Sequence, residues 1–186
     1  MDVKRIHTPL TASTVLDLRS GESVLLTGVI YTARDAAHRR FLDLLDRGET
    51  LPIDLSGQIL YYAGPVPARP GKVIGPIGPT SSYRMDPFTP RLLERGLKGM
   101  IGKGNRSDAV VRAIRQHKAV YLASVGGTAA LSARCVAEAE IIAFEDLGPE
   151  AVYRLEVHEF PLVVAIDWQG GNLFADGIEK YKKISD

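Results

Sequence analysis

A single cysteine, Cys135, in 186 residues rules out an intrachain disulfide. One thiol also cannot by itself ligate an iron–sulfur cluster or a structural zinc in the usual cysteine-rich way. Its place in an Ala-rich stretch suits a small packed residue better than a reactive one. Long apolar runs are missing as well. No segment reaches the roughly 18 residues of a membrane helix, and Met1 to Leu10 contains no apolar stretch of signal-peptide length. A cytoplasmic location with no membrane partner is therefore expected. Charge of one sign is absent: 23 Lys and Arg face 22 Asp and Glu, and a formal charge of +1 creates no field that would attract nucleic acid. There is no internal repeat or low-complexity tract, no dinucleotide fingerprint around Gly126-Gly127, and no Gly-x-Ser-x-Gly elbow for a Ser-His-Asp hydrolase.

What is present is an ordinary globular balance, 45% hydrophobic and 24% charged, on a length that supports one well-buried core. A single domain over residues 1–186 is expected. After a mixed polar segment to residue 20, Ser23 to Tyr31 is a nearly continuous apolar and β-branched run, the pattern of a strand covered on both faces. Asp35 then caps a helix with Phe41, Leu42 and Leu45 at helical spacing, stopped at Arg47-Gly48. Ile59 to Tyr62 is a second strand. Three prolines among residues 65–70 forbid regular structure, so residues 63–84 form a long loop. Thr89-Pro90 opens a helix, Met100-Ile101 is a short apolar segment, and Ser107 caps a helix carrying Val110, Ala113 and Ile114. Val120 to Val125 is a strand, residues 128–138 a helix, and Ala139 to Phe144 and Leu162 to Asp167 two further strands. The second of these runs through Trp168 to Asn172 into Leu173-Phe174 as a hairpin. Strands alternating with helices predict an α/β fold with a largely parallel central sheet and flanking helices.

Loops longer than about 12 to 15 residues in compact domains are usually functional or disordered, and this one ends in Gly78-Pro79-Thr80-Ser81-Ser82-Tyr83-Arg84-Met85-Asp86. Two other stretches, Arg34 to Arg39 and Gly102 to Ser107, also follow apolar runs, where an open α/β sheet presents residues to a ligand crevice. Together they supply Arg34, Thr80, Arg84 and Lys103, with Asp35, His38, Ser81, Ser82 and Arg106 in supporting positions. Guanidinium groups match carboxylate oxygens in pairs, so the set suits an anionic small molecule such as a dicarboxylate. His38 has no second His or Cys at ligand spacing and reads as a helix-face residue rather than a metal ligand. A phosphate reading of Gly102 to Ser107 lacks the spacing of a Walker loop.

Arg34-Asp35-Ala36-Ala37-His38, Ala63-Gly64-Pro65, the 78–86 stretch and Lys103-Gly104-Asn105-Arg106-Ser107 resemble class I, iron–sulfur fumarate hydratase, specifically its carboxy-terminal half. In some members that half is a separate β subunit, and the same family contains the L(+)-tartrate dehydratase β subunit. The resemblance covers residues 20–172 in four separated stretches. It implies a swivelling β/α domain and a hydro-lyase that interconverts (S)-malate with fumarate and water. It also implies a 4Fe-4S cluster ligated by a partner α subunit, in a heterodimer or a dimer of heterodimers. Carried over by motif, Arg34 and Arg84 bind substrate carboxylates, Lys103 contacts the substrate's other polar end, and Thr80 is the base. Ser81 stands where many members have a second threonine, and Tyr83 where a small residue is common. The Asn105-Arg106-Ser107 continuation ranks fumarase ahead of tartrate dehydratase. Because one chain holds no complete catalytic set, a non-enzymatic module binding a dicarboxylate or a partner protein is the competing reading.

Overall fold

The computed structural model describes residues 3–124 and 129–182. Its elements run β1 (Lys4–His7), α1 (Ala12–Asp17), β2 (Ser23–Thr32), α2 (Asp35–Asp46), β3 (Ile59–Tyr61), α3 (Thr89–Glu94), β4 (Gly99–Gly102), α4 (Asp108–His117), β5 (Val120–Ala123), α5 (Ala129–Arg134), β6 (Val136–Ala143), β7 (Val152–Ile166) and α6 (Leu173–Tyr181). Two 3-10 segments, Ser82–Met85 and Glu145–Glu150, lie in the connections. None of the described helices is long and apolar enough to cross a membrane.

The expected open, largely parallel sheet is not what forms. The seven strands follow the order β1-β2-β3-β4-β5-β7-β6, and β7 pairs with β2 as well as β5. Strands β2, β3, β4, β5 and β7 therefore close into a five-stranded mixed barrel. The steps from β1 to β5 are parallel, while β7 runs antiparallel to β2, β5 and β6. The physical reason is the length and position of β7. Its 15 residues give it reach enough to pair Arg154 to Val163 with β2 and Val163 to Ile166 with β5. Sequence reading finds only its last third, because Pro161 lowers the strand signal and Glu156, His158 and Glu159 are polar.

A bulge bends this closing strand. Leu26 faces Phe160 and Gly28 faces Val157, so Thr27 alone opposes His158 and Glu159. The extra residue sharpens twist and curvature, as closure requires. Gly28 takes φ +118 there, with Thr8 packed against the position a Cβ would fill. A side chain at residue 28 would meet both the backbone and that neighbour.

Side chains alternate across the barrel wall. Ile59 and Tyr61 of β3, Ile101 of β4, and Val120 and Leu122 of β5 pack with Leu26, Ile30, Leu155 and Phe160 on the inner face. Leu60, Tyr62, Met100 and Tyr121 point outward and are covered by Phe41 and Leu45 of α2, Leu92 and Leu93 of α3, and Val110 and Ile114 of α4. Both faces are dry. That explains why these strands read as continuous apolar runs rather than as alternating ones.

Several boundaries differ from expectation. Arg34, not Asp35, is the cap residue of α2, and Asp35 is its first helical residue. The Ala-rich helix ends at Arg134 and β6 begins at Val136, while the Gly126-Gly127 turn lies outside the described residues. The expected hairpin after β7 is instead a turn into α6, because Asn172 Oδ1 accepts from the backbone N–H groups of Phe174 and Ala175 and so starts a helix.

Candidate functional site

Four parallel strands deliver their carboxyl ends to one side of the barrel, and the backbone ladder continues past them. Ala33 N–H donates to Tyr61 O (3.1 Å), Tyr62 N–H to Ile101 O (2.8 Å) and Ser124 N–H to Gly102 O (2.9 Å). The long loop then returns into this edge. Pro79 pairs antiparallel with Ala63 beyond β3, Ser81 pairs parallel with Lys103 beyond β4, and Thr80 N–H donates to Tyr62 O at 2.6 Å. Thr80 is thus threaded between the ends of two strands. A residue held this way by its own backbone has a fixed Cα and a side chain available for other work.

Arg34 reaches the same edge from β2. Its Nη2 donates to Glu150 Oε1 (3.2 Å), and Glu150 Oε2 accepts the backbone N–H of Ala36 (2.8 Å) in the first turn of α2. Arg34 Nε is buried with no partner among the described residues. Gly64 leaves room for this guanidinium: a Cβ there would lie 2.9 Å from Arg34 Nη1 and 2.5 Å from Pro149 O. Arg84, on the 3-10 segment after the loop, is exposed and donates through Nε to Asp35 Oδ1 (2.9 Å). Its Nη2 lies 2.8 Å from Asp35 Oδ2. This ion pair fastens the loop to the start of α2. Lys103 is exposed at the edge of β4 and joins no ion pair among the described residues.

Three expected supporting residues, Arg106, Ser82 and His38, serve the interior instead. Arg106 is 4% exposed. Its Nε donates to Asp86 Oδ1 (2.6 Å) and its Nη2 to Thr89 Oγ1 (2.7 Å), and its guanidinium lies over the rings of Tyr62 and Tyr121. Asp86 Oδ2 also accepts the N–H of Ser107 (2.7 Å), the cap residue of α4. Tyr121 completes the set, its hydroxyl donating to Gly104 O (2.8 Å) and pairing with Ser82 Oγ (2.9 Å). Burial pushes the Tyr121 pKa up to about 12. These contacts lock the 82–89 segment against the β4–α4 connection, so they set the height of the whole loop edge.

His38 is fully buried among Phe41, Tyr62 and Phe88. Its Nδ1 lies 2.9 Å from Arg34 O, a pure acceptor, so the proton sits on Nδ1 and bare Nε2 is left without a partner. Burial is the main cause that lowers its pKa to about 4. The imidazole is neutral, and it braces Arg34 from behind.

Reasoning from sequence thus brings Arg34, Thr80 and Lys103 to one edge, with Arg84 and Asp35 beside them and Ser81 joined by its backbone. It misses Glu150, Thr89 and Tyr121. No local signal marks Glu150 as a partner, since it stands 116 residues from Arg34. The donor set of this chain does not fit an iron–sulfur cluster: Cys135 is half-buried against the core, burial raises its thiol pKa, and no group of three His, Cys, Asp or Glu side chains converges among the described residues.

Comparison with known proteins places these features in a family. The family model described as Fumarase C-terminus matches residues 2–177. A protein of Methanocaldococcus jannaschii provisionally named L(+)-tartrate dehydratase subunit beta is 38% identical over 184 residues, covering 95% of this chain and 94% of that protein. Fumarate hydratase 1, mitochondrial, of Leishmania major is 40% identical over 151 residues, 80% of this chain and 28% of its own length. The anaerobic class I fumarate hydratase of Escherichia coli is 38% identical over 83% of this chain and 29% of its own length. The chain therefore spans nearly all of the first relative and under a third of the other two, less than the half expected from the resemblance.

Proposed function

The chain belongs to the fumarase C-terminus family, and from that premise we propose that it is the β subunit of a hydro-lyase that interconverts (S)-malate with fumarate and water. The observation that carries the site assignment is the ladder extension that sets Arg34, Thr80 and Lys103 along one edge. In this reading Arg34 and Arg84 receive the carboxylates of the substrate, and Lys103 meets its other polar end. Each charge-assisted hydrogen bond is worth roughly 1.5 to 3 kcal/mol.

Thr80 is the base in this scheme. Its side-chain oxygen, in the ionised form, takes the proton from the carbon next to the one that bears the hydroxyl, and the C–H electron pair becomes the double bond as the C–O bond breaks. The hydroxide leaves as water by taking a proton from solvent, and Thr80 returns its own proton to solvent; the charge that builds on the carboxylate is stabilised by the same cations. A threonine hydroxyl needs activation to act as a base, and the neighbouring cations favour its ionised form. Relatives named as fumarate hydratases carry more than twice as much additional chain as they share with this one. That difference supports a partner subunit that completes the site, with a 4Fe-4S cluster held there. The steps assigned to this chain do not pass through that cluster.

A second reading, the L(+)-tartrate dehydratase β subunit, is favoured by the near full-length match to the relative of that name. An anaerobic dehydratase assay separates the two, using this chain, a cluster-loaded partner, and the mixture, with malate and L-tartrate in turn. Malate turnover confined to the mixture supports the fumarase assignment. Tartrate preference promotes the second reading, and no turnover in a formed complex returns the chain to dicarboxylate binding alone.

A further inference from the structure

The Glu150 carboxylate has two partners, and both belong to the segment that carries Arg34. One oxygen accepts from Arg34 Nη2 at 3.2 Å and the other from the N–H of Ala36 at 2.8 Å. The pair is partly shielded, with side-chain exposures of 25% and 26%. A surface ion pair of that distance alone would contribute little. Here the second oxygen fixes the carboxylate on the helix terminus, so the guanidinium is gripped by a group that is itself held. The far side of Arg34 is bounded by Gly64, where no Cβ intrudes on Nη1, and its backbone carbonyl is held by His38. Among the described residues Nη2 is engaged, Nη1 is not, and Nε is buried without a partner.

We infer that Glu150 is a positioning residue for substrate binding: it holds Arg34 by Nη2 and leaves Nη1, on the side bounded by Gly64, to donate to a substrate carboxylate. The inference rests on the hydro-lyase reading above. It assigns a role to a residue that none of the motif stretches contains. The N–H groups of a guanidinium lie in its plane, so Nη1 aims at a carboxylate only when that plane is set in advance. Occupying one nitrogen with a fixed internal carboxylate sets that plane. The same arrangement would act in the opposite sense if Glu150 competed with substrate for Arg34, and the two senses predict opposite changes in KM.

The test uses the complex assembled with the cluster-bearing partner, with KM and kcat for malate and for L-tartrate measured separately. Glu150→Gln keeps the shape and removes the charge, and Glu150→Ala removes both contacts. The expected result is a KM for the preferred substrate raised about ten-fold or more, the lower end of one charge-assisted bond, with kcat changed less than about three-fold. In an Arg34→Ala background the Glu150→Gln substitution is expected to add nothing further to KM, because its effect passes through Arg34. Unchanged or lowered KM in Glu150→Gln overturns the inference, as does a full additional loss in the Arg34→Ala background. If Glu150→Ala fails to assemble, the isosteric Gln variant decides. A wild-type complex that dehydrates neither substrate overturns the functional reading, and this inference falls with it.

Discussion

The backbone N–H of Thr80 donates to the carbonyl oxygen of Tyr62 across 2.6 Å, one residue past the end of β3. This bond anchors Thr80 without using its side chain. Thr80→Ala should therefore leave the fold and the ladder intact while removing the proposed base. In the assembled enzyme kcat is expected to fall by about 10² to 10⁴, the usual worth of general base catalysis, with KM within a few-fold of wild type. Steady-state kinetics on malate check this, and unchanged kcat removes Thr80 from the role.

Arg106 and Asp86 should behave in the opposite way. The Arg106 side chain has 0% exposure and that of Asp86 12%, and the two meet at 2.6 Å. Removing one member of a buried pair leaves the other charge uncompensated, which typically costs about 3 to 5 kcal/mol. Asp86→Ala is expected to lose stability on that scale in denaturant unfolding, and to release the start of α4 through its lost bond to Ser107 N. A variant that unfolds like wild type but binds substrate poorly would restore Arg106 to the ligand site.

These two residues also show where sequence reading stops. Arg106 lies in a turn between an apolar run and a helix, which is where a ligand-binding cation would be expected. What buries it is Asp86, 20 residues earlier, and nothing local distinguishes a compensated arginine from a free one. The β–α alternation from β2 to β5 was legible because each element carries its own period and caps. Barrel closure was not, since it depends on β7 pairing with β2 across more than a hundred residues, and Pro161 hides the strand that does it. Thr80 and Lys103 were legible as motif residues, yet their adjacency came from the Ser81 to Lys103 bridge, which is a property of the folded loop alone.

Arg84 offers a cleaner separation of binding from stability. Its side chain is 42% exposed and its partner Asp35 lies on α2. Exposed pairs contribute from about 0 to 1 kcal/mol, so Arg84→Ala should unfold close to wild type. If Arg84 binds a substrate carboxylate, KM should rise about 10- to 100-fold, the equivalent of one charge-assisted bond. Kinetics and unfolding on the same preparation check both halves. A KM equal to wild type would limit Arg84 to fastening the loop.

His38 gives the chain a specific acid sensitivity. Burial among aromatic rings lowers its pKa from 6.5 to about 4; the hydrogen bond to the Arg34 carbonyl and the nearby Asp35 act the other way, while Arg106 adds to the lowering. In the unfolded chain the imidazole takes a proton near pH 6.5, whereas the folded chain resists until about pH 4. Between those values the unfolded state binds more protons, so stability must rise with pH. The full contribution is present above pH 6.5 and is lost as pH falls toward 4, amounting to roughly 3 kcal/mol. Acidic side chains lose their own contributions at lower pH, so the test compares wild type with His38→Gln in denaturant unfolding from pH 7 to 4.5. The variant should show a flatter dependence across that window. Parallel curves would mean that His38 opens to water before it protonates, and that its grip on the Arg34 carbonyl is looser than the geometry implies.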